Sequence, residues 1–336
     1  AIKEELKNPI VKNLVLGLIL IAILFGNTAY EAGNISGTIL GIETLLGEFK
    51  FNLGNISLNF YSLAIGIIGA SLLWTSKYKI IQGFLIGLVI IMSISFLATV
   101  FFTKPSIRDI ISGLLSFEMP KGSLLTIVGL IGTTIVPYNL FLHSELAKNK
   151  WLKSNELEYA LNDLYVSIGL GGVISLCIII SASGIENANI LGVGDLALGL
   201  EPLFGKFAKY FLAIGLFSAG ITSTITAPMA ASYVVCACFG WTPNLKSAHF
   251  RITWIFIILS GVLISALGLK LISVIEFAQI ANGILLPIIV IILLWIMNKS
   301  SILGNFKYNI YQNLIGSVIV IISFFLSFRT LLILIN

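Results

Sequence analysis

Residues 132–146 read GTTIVPYNLFLHSEL, inside a run apolar enough to cross a bilayer. A plain membrane span has no need of a proline, two threonines, an asparagine and one of only two histidines in the chain. In hydrocarbon each unsatisfied backbone group costs several kcal/mol. Pro137 removes one N–H donor and crowds the carbonyl one turn earlier. The helix is therefore expected to break or kink just before it, between Thr133 and Val136. Gly129 and Gly132 make the N-terminal half easier to unwind. The freed carbonyls of Gly132, Thr133 and Thr134 would then face protein or water. A helix broken at mid-membrane can hold an ion with such carbonyls and its half-helix ends. A proline kink without a ligand is the other reading of the same letters.

Composition sets the surroundings. Of 336 residues, 57% are hydrophobic and 10% charged, and mean hydropathy is +1.03. Soluble domains carry about 25% charged residues. The chain reads as an all-α, polytopic membrane helical bundle forming a single transmembrane domain over residues 1–336. The net charge of +5 comes from basic residues scattered through short loops, with no Lys/Arg run to grip phosphates, so no nucleic-acid partner is expected. Cys177, Cys236 and Cys238 lie in hydrophobic text without metal-site or CxxC spacing and read as small packing residues.

A span needs about 20 apolar residues. On that basis nine spans are expected, at 11–43, 57–75, 80–103, 123–146, 160–184, 208–238, 250–268, 272–297 and 311–335. The longest loops are 104–122 and 185–207, the second with room for a short interfacial helix. With a cytoplasmic N-terminus, twelve of the 20 Lys and Arg fall in inside loops and eight outside. The bias favours the N-terminus in and the C-terminus out.

Further polar residues interrupt the spans. In Asn27-Thr-Ala-Tyr-Glu-Ala-Gly-Asn-Ile-Ser-Gly37, Glu31 and Asn34 sit three apart on one helical face. An ionised carboxylate at mid-span is costly unless it meets water, a partner or a proton. A proton-carrying Glu31 and a neutral Glu31 bonded to a neighbouring helix both fit. Glu43 lies nearer the outer interface and reads as solvated. His143 would share a face with Val136 and Asn139 if the second half-helix is regular. It could titrate near neutral pH or simply pack. His249, near Arg251, reads as surface. Ala219-Gly-Ile-Thr-Ser-Thr-Ile-Thr226 carries small and hydroxylic residues suited to close helix packing. Gln279 and Asn282, ahead of Pro287, need partners inside the bundle; Gln279 could ligate an ion or bond across helices.

Thr134-Ile-Val-Pro-Tyr-Asn-Leu-Phe-Leu-His-Ser144 resembles the sixth-helix motif of the Nramp family (natural resistance-associated macrophage proteins) of divalent metal ion transporters. There a methionine, proline and histidine are followed by Asn-Leu-Tyr-Leu-His-Ser. Gly37-Thr38 with Leu45-Leu46-Gly47 is similar to that family's third helix. Glu201-Pro-Leu-Phe-Gly205 and Ala219–Thr226 are similar to its eighth helix and the approach to it. Ala278-Gln279 with Leu286-Pro287, then Leu303-Gly304, is similar to its tenth helix and the following loop. The resemblance implies a LeuT-type inverted-repeat fold. It also implies that the nine spans stand for helices three to eleven, with the first two helices and the family's Asp-Pro-Gly-Asn motif absent from an N-terminally incomplete sequence.

The resemblance assigns roles residue by residue. Thr133 stands where the family's alanine offers a carbonyl to the metal, and Val136 where the family has methionine. Valine offers no ligand atom, and losing a soft sulfur weakens discrimination against Mg²⁺ and Ca²⁺. Gln279 adds an oxygen in one conformation, and Asn139 is expected close by. Glu31 stands for an Asp and Asn34 for a Glu of the family's proton route; Tyr138 replaces its first histidine and His143 keeps its second.

The expected function is secondary active transport of a divalent cation, Mn/Fe-type or, given Val136, harder and Mg-like. It is expected to be proton-coupled, in the cell (inner) membrane, with the metal as substrate, no cofactor and no obligate protein partner. A structural or electron-carrying subunit, or a non-transporting fragment, is the alternative. A haem subunit would want paired axial ligands, and only His143 is intramembrane. A membrane-embedded enzyme would want a nucleophile with its base or a metal cluster, and neither spacing is present.

Overall fold

The computed structural model describes residues 5–53, 56–103, 106–116, 122–134, 136–151, 153, 156–183 and 207–335. Its helices are α1 (Pro9–Leu46), α2 (Phe60–Trp74), α3 (Tyr78–Thr103), α4 (Ile107–Leu115), α5 (Leu124–Thr134), α6 (Pro137–Lys150), α7 (Leu157–Ser183), α8 (Ala208–Phe239), α9 (Ala248–Ala266), α10 (Leu271–Met297), α11 (Ser300–Leu303) and α12 (Ile310–Ile335). Among the described residues eight stretches are long and apolar enough to cross a membrane, counting 124–148 as one. The ninth expected span is shorter than the sequence implies. α2 holds 15 residues, because Ile56–Asn59 (β2) pairs antiparallel with Lys50–Leu53 (β1). A strand paired in a ladder cannot also extend the helix behind it.

α1 is the axis of the bundle. Asn8 caps it, accepting from the amides of Ile10 and Val11 at 2.9 and 3.3 Å, and Pro9 supplies a preset φ in the first turn. It ends at Gly47, whose φ of 79° an L side chain rarely adopts. Its 38 residues rise about 57 Å, beyond the roughly 30 Å of a hydrocarbon core. α8, α10 and α9 pack around its middle, and α2 and α6 touch it more lightly. Ile23, Ile35 and Ile39 of α1 are fully buried there, with Ile65, Phe250 and Trp254 from the surrounding helices. α3 and α7 pack on one another outside α8, and α12 lies outside α10.

Two local expectations are corrected. The 104–122 loop contains α4, with Ile107, Ile110, Ile111 and Leu114 at helical spacing and Ser106 as its cap. Glu43 is not simply solvated: it accepts from Asn59 Nδ2 at 2.8 Å and ties the end of α1 to the start of α2. The interfacial helix expected within 185–207 lies outside the described residues, apart from Phe207. The cysteines are free, with Cys177 and Cys236 buried.

Candidate functional site

The interruption falls where Pro137 puts it. α5 ends at Thr134 and α6 begins at Pro137. Val136 between them is extended, with φ −85° and ψ 125°. The residue before a proline is pushed out of the helical region by the ring, and Val136 obeys. Proline alone does not decide this, since α8 runs through Pro228 and α10 through Pro287. What differs is the residue directly in front, β-branched Val136 here against Ala227 before Pro228 and Leu286 before Pro287. Thr133, Thr134, Ile135 and Val136 are four consecutive β-branched residues, each stiff at χ1 and poor in a helix. The helix restarts with the Asn139 amide donating to the Val136 carbonyl at 3.0 Å. The last carbonyls of α5, Thr133 and Thr134 among them, therefore end a helix with no following turn to bond them.

Close backbone contact fixes the N-terminal half. A Cβ on Gly132 would collide with the backbone carbonyl of Gln279 and lie 2.6 Å from the Gly283 nitrogen. A Cβ on Gly283 would meet the Val128 carbonyl at 2.8 Å. Only two glycines let α5 and α10 approach so closely. The same contact brings the Gln279 side chain against Gly129, one turn before Thr133. Among the described residues the Gln279 amide makes no hydrogen bond, so its oxygen is uncommitted.

Tyr30 of α1 reaches both sides of the gap. Its hydroxyl lies 2.6 Å from Thr133 Oγ1 at the end of α5. Its ring meets that of Tyr138, in the first turn of α6, edge-on at 5.9 Å and 68°. Val136 and Tyr138 are 3% and 4% exposed. On the next residue of α1, Glu31 is fully buried. Its Oε2 accepts from Asn34 Nδ2 at 3.3 Å, and its Oε1 has no partner among the described residues. The Glu31 stem lies over Gly261 of α9, where a Cβ would stand 2.5 Å from Glu31 Cγ. Asn34 in turn lends its carbonyl to Thr38 Oγ1 at 2.9 Å, packed under Gly220.

The structure thus gathers Thr133, Val136 and Tyr138 at the gap, with Gln279 one turn away and Glu31 and Asn34 behind Tyr30. Asn139 and His143 are placed differently from the expectation. Both lie on the exposed face of α6, while Tyr138 and Leu142 fill the buried face. The reason is local: Val136 is extended, so the helical period starts afresh at Pro137 and Val136 does not share the face of Asn139. No hydrogen bond joins Asn139 to Gln279 among the described residues. Tyr30 is the residue that sequence reasoning passed over. Its signal was a phenol at mid-span, next to Glu31. Among the described residues no cluster of three His, Cys, Asp or Glu could hold a metal. Ala219–Thr226 packs closely, as expected: Gly220 meets Thr38, and Thr224 meets Gly69.

A long-helix bundle with one span broken against its central helix defines the class: a polytopic membrane protein with a discontinuous helix. A family profile described as natural resistance-associated macrophage protein-like (Nramp) matches residues 1–333. The chain belongs to that family. It is 22% identical over 303 residues to a protein of Caldanaerobacter subterraneus named divalent metal cation transporter MntH, covering 85% of this chain and 71% of that one. A Staphylococcus saprophyticus protein of the same name is 26% identical over 271 residues, covering 73% and 60%. The chain spans 56% of a third such relative, from Vibrio campbellii. The fold matches the crystal structure of a manganese transporter of Eremococcus coleocola in complex with an aromatic bis-isothiourea compound. The TM-score is 0.70 at 18% identity, over 93% of this chain and 70% of the other. The expected LeuT-type fold is therefore the observed one.

Proposed function

We propose that this chain carries divalent metal cations across a membrane by alternating access, with the gap at Val136 as the station for the ion. The observation that supports this most is a helix interrupted in the bundle interior, its end carbonyls released, beside the uncommitted Gln279 amide on α10. Thr133 offers its carbonyl and Gln279 its side-chain oxygen. Val136 lines the station and gives no ligand atom. An all-oxygen set suits hard, partly hydrated cations better than one containing sulfur. Mg²⁺ and Mn²⁺ therefore compete on closer terms than at a thioether site. Asn139, on the exposed face of α6, offers an amide oxygen to an approaching ion.

Proton movement would use Glu31, whose second carboxyl oxygen is unpartnered. Asn34 orients it, Tyr138 would pass the proton on at the gap, and His143 gives an exposed imidazole on α6. The membrane is the cell (inner) membrane, with the N-terminal end of the chain cytoplasmic, a reading that rests on the distribution of Lys and Arg. No cofactor and no obligate protein partner is needed; the metal is the substrate.

The test is uptake by proteoliposomes carrying a divalent-cation dye and a pH dye. Mn²⁺ influx should be suppressed by excess Mg²⁺ and accompanied by acidification. Mn²⁺ uptake undisturbed by a large Mg²⁺ excess would refute the hard-cation reading. Flux without pH dependence or proton movement would refute coupling. No flux above that of empty liposomes would remove transport itself.

A further inference from the structure

α2 and α9 lie side by side on the outside of the bundle, with a groove of about 270 Å³ between them. Leu63, Ile67 and Ala70 face Ile255, Leu259 and Val262 across it, and every residue lining it is apolar. Gly66 forms its floor: a Cβ there would collide with the Val262 side chain. From Leu63 to Trp74 the helix rises about 16 Å, enough to seat much of an acyl chain. At one end the groove changes character. Trp74 and Trp254 meet edge-on at 6.3 Å, and the Arg251 guanidinium lies 4.3 Å over the Trp74 ring. Arg251 Nη2 donates to Ser76 Oγ at 3.3 Å, and that hydroxyl reaches the Leu245 carbonyl at 3.2 Å. Two loops are thereby joined, and each contributes an exposed lysine, Lys77 and Lys246.

The charge here is uncompensated. Among the described residues the ion pairs are Lys50–Glu48, Lys150–Asp163 and Lys299–Glu5, none of them at this end. Among the described residues Arg251 Nε has no acceptor. Tryptophan marks the level where hydrocarbon gives way to headgroups. Arginine and lysine just beyond it meet phosphate. An apolar channel, a tryptophan junction and three unpaired cations follow the order of parts in one phospholipid molecule.

We propose that the α2–α9 groove is a site for one anionic phospholipid, with an acyl chain along the groove and the phosphate among Lys77, Lys246 and Arg251. A zwitterionic lipid brings its own ammonium to the same cluster and gains less from it. The site lies apart from the gap at Val136 and stands whether or not the chain transports metal.

The test uses the full chain purified in detergent and native mass spectrometry, with phosphatidylglycerol and phosphatidylcholine titrated separately. One phosphatidylglycerol should be retained, about 25-fold more tightly than phosphatidylcholine, about fivefold for each of the two lysines. Lys77→Gln and Lys246→Gln should each reduce that preference about fivefold, the contribution of one cation near a lipid surface. Ala70→Phe, which fills the groove, should abolish retention. In the unaltered protein, phosphatidylglycerol brominated on its chains should quench tryptophan fluorescence with saturation at low mole fraction, and brominated phosphatidylcholine only in proportion to its amount. Equal retention of the two lipids, a preference that survives both lysine changes, unsaturable quenching, or full displacement by millimolar inorganic phosphate would each overturn the proposal.

Discussion

Tyr30 holds the two halves of the broken span in register, and a double-mutant cycle can measure how firmly. Its hydroxyl and that of Thr133 are 2.6 Å apart. Tyr30→Phe removes one partner and leaves the ring contact with Tyr138 in place. The Thr133 hydroxyl, half-buried, then lacks a partner, which costs about 1 kcal/mol at the low end of the range for such groups. Thr133→Val strands the Tyr30 hydroxyl instead, on a side chain only 9% exposed, at about 2 kcal/mol. With both changes neither polar group is left alone, so the double variant should cost less than the sum by about 1–2 kcal/mol. The readout is the thermal midpoint of the detergent-solubilised protein, followed by intrinsic fluorescence. Each kcal/mol should move it by about 2 °C in a chain of this size. Additivity within about 0.5 kcal/mol would refute the link and leave the two hydroxyls merely adjacent.

Three other outcomes follow from the same contacts. Gly132→Ala drives a methyl into the Gln279 backbone and should destabilise by more than about 2 kcal/mol, whereas Gly17→Ala, with nothing within 4 Å, should stabilise by about 0.5–1 kcal/mol; equal melting shifts would contradict the close approach of α5 and α10. Val136→Met restores a soft donor, so Mn²⁺ uptake in proteoliposomes should become resistant to Mg²⁺ by about tenfold, or about 1.4 kcal/mol; an unchanged competition curve would separate Val136 from the ion. Glu5 accepts from the Ser301 hydroxyl at 2.6 Å and lies 3.5 Å from the Lys299 ammonium, and these hold its carboxyl below the usual range. Such a group stabilises above its unfolded pKa of about 4.3 and loses that contribution as pH falls through the lower folded value. Amide protection in the first turn of α1 should therefore fall below about pH 4, and Ser301→Ala should flatten the dependence.

The sequence made the break legible because its causes are local: Pro137 crowds the residue before it, and that residue, Val136, is β-branched. The long spans were legible for a similar reason, since hydrophobic length is a property of the chain alone. Burial is less legible. Counting from Val136 puts Asn139 and His143 on its face, and counting fails across a residue that is not helical. The place of Gln279 beside Gly129 depends on the Gly132–Gly283 approach, a contact between residues 151 positions apart that no spacing rule encodes. Tyr30 stood in the quoted stretch beside Glu31, but a phenol in a helix names no partner until the fold supplies Thr133. The β1–β2 pair has Phe51, Leu53, Ile56 and Leu58 alternating with polar residues, but so short an alternating run beside a span reads as part of the loop.

The two halves of the broken span are carried by different neighbours. α5 is clamped to α10 and touches α12, while α6 rests chiefly on α8. A shift of the α10 layer past the α8 layer cannot be shared along one stiff rod; it has to be absorbed between Thr134 and Pro137. The gap is thus the joint of a lever whose arms are bolted to separate plates. Tyr30, mounted on the axle between them, touches both arms, so any turn of the joint would have to change one of its two contacts.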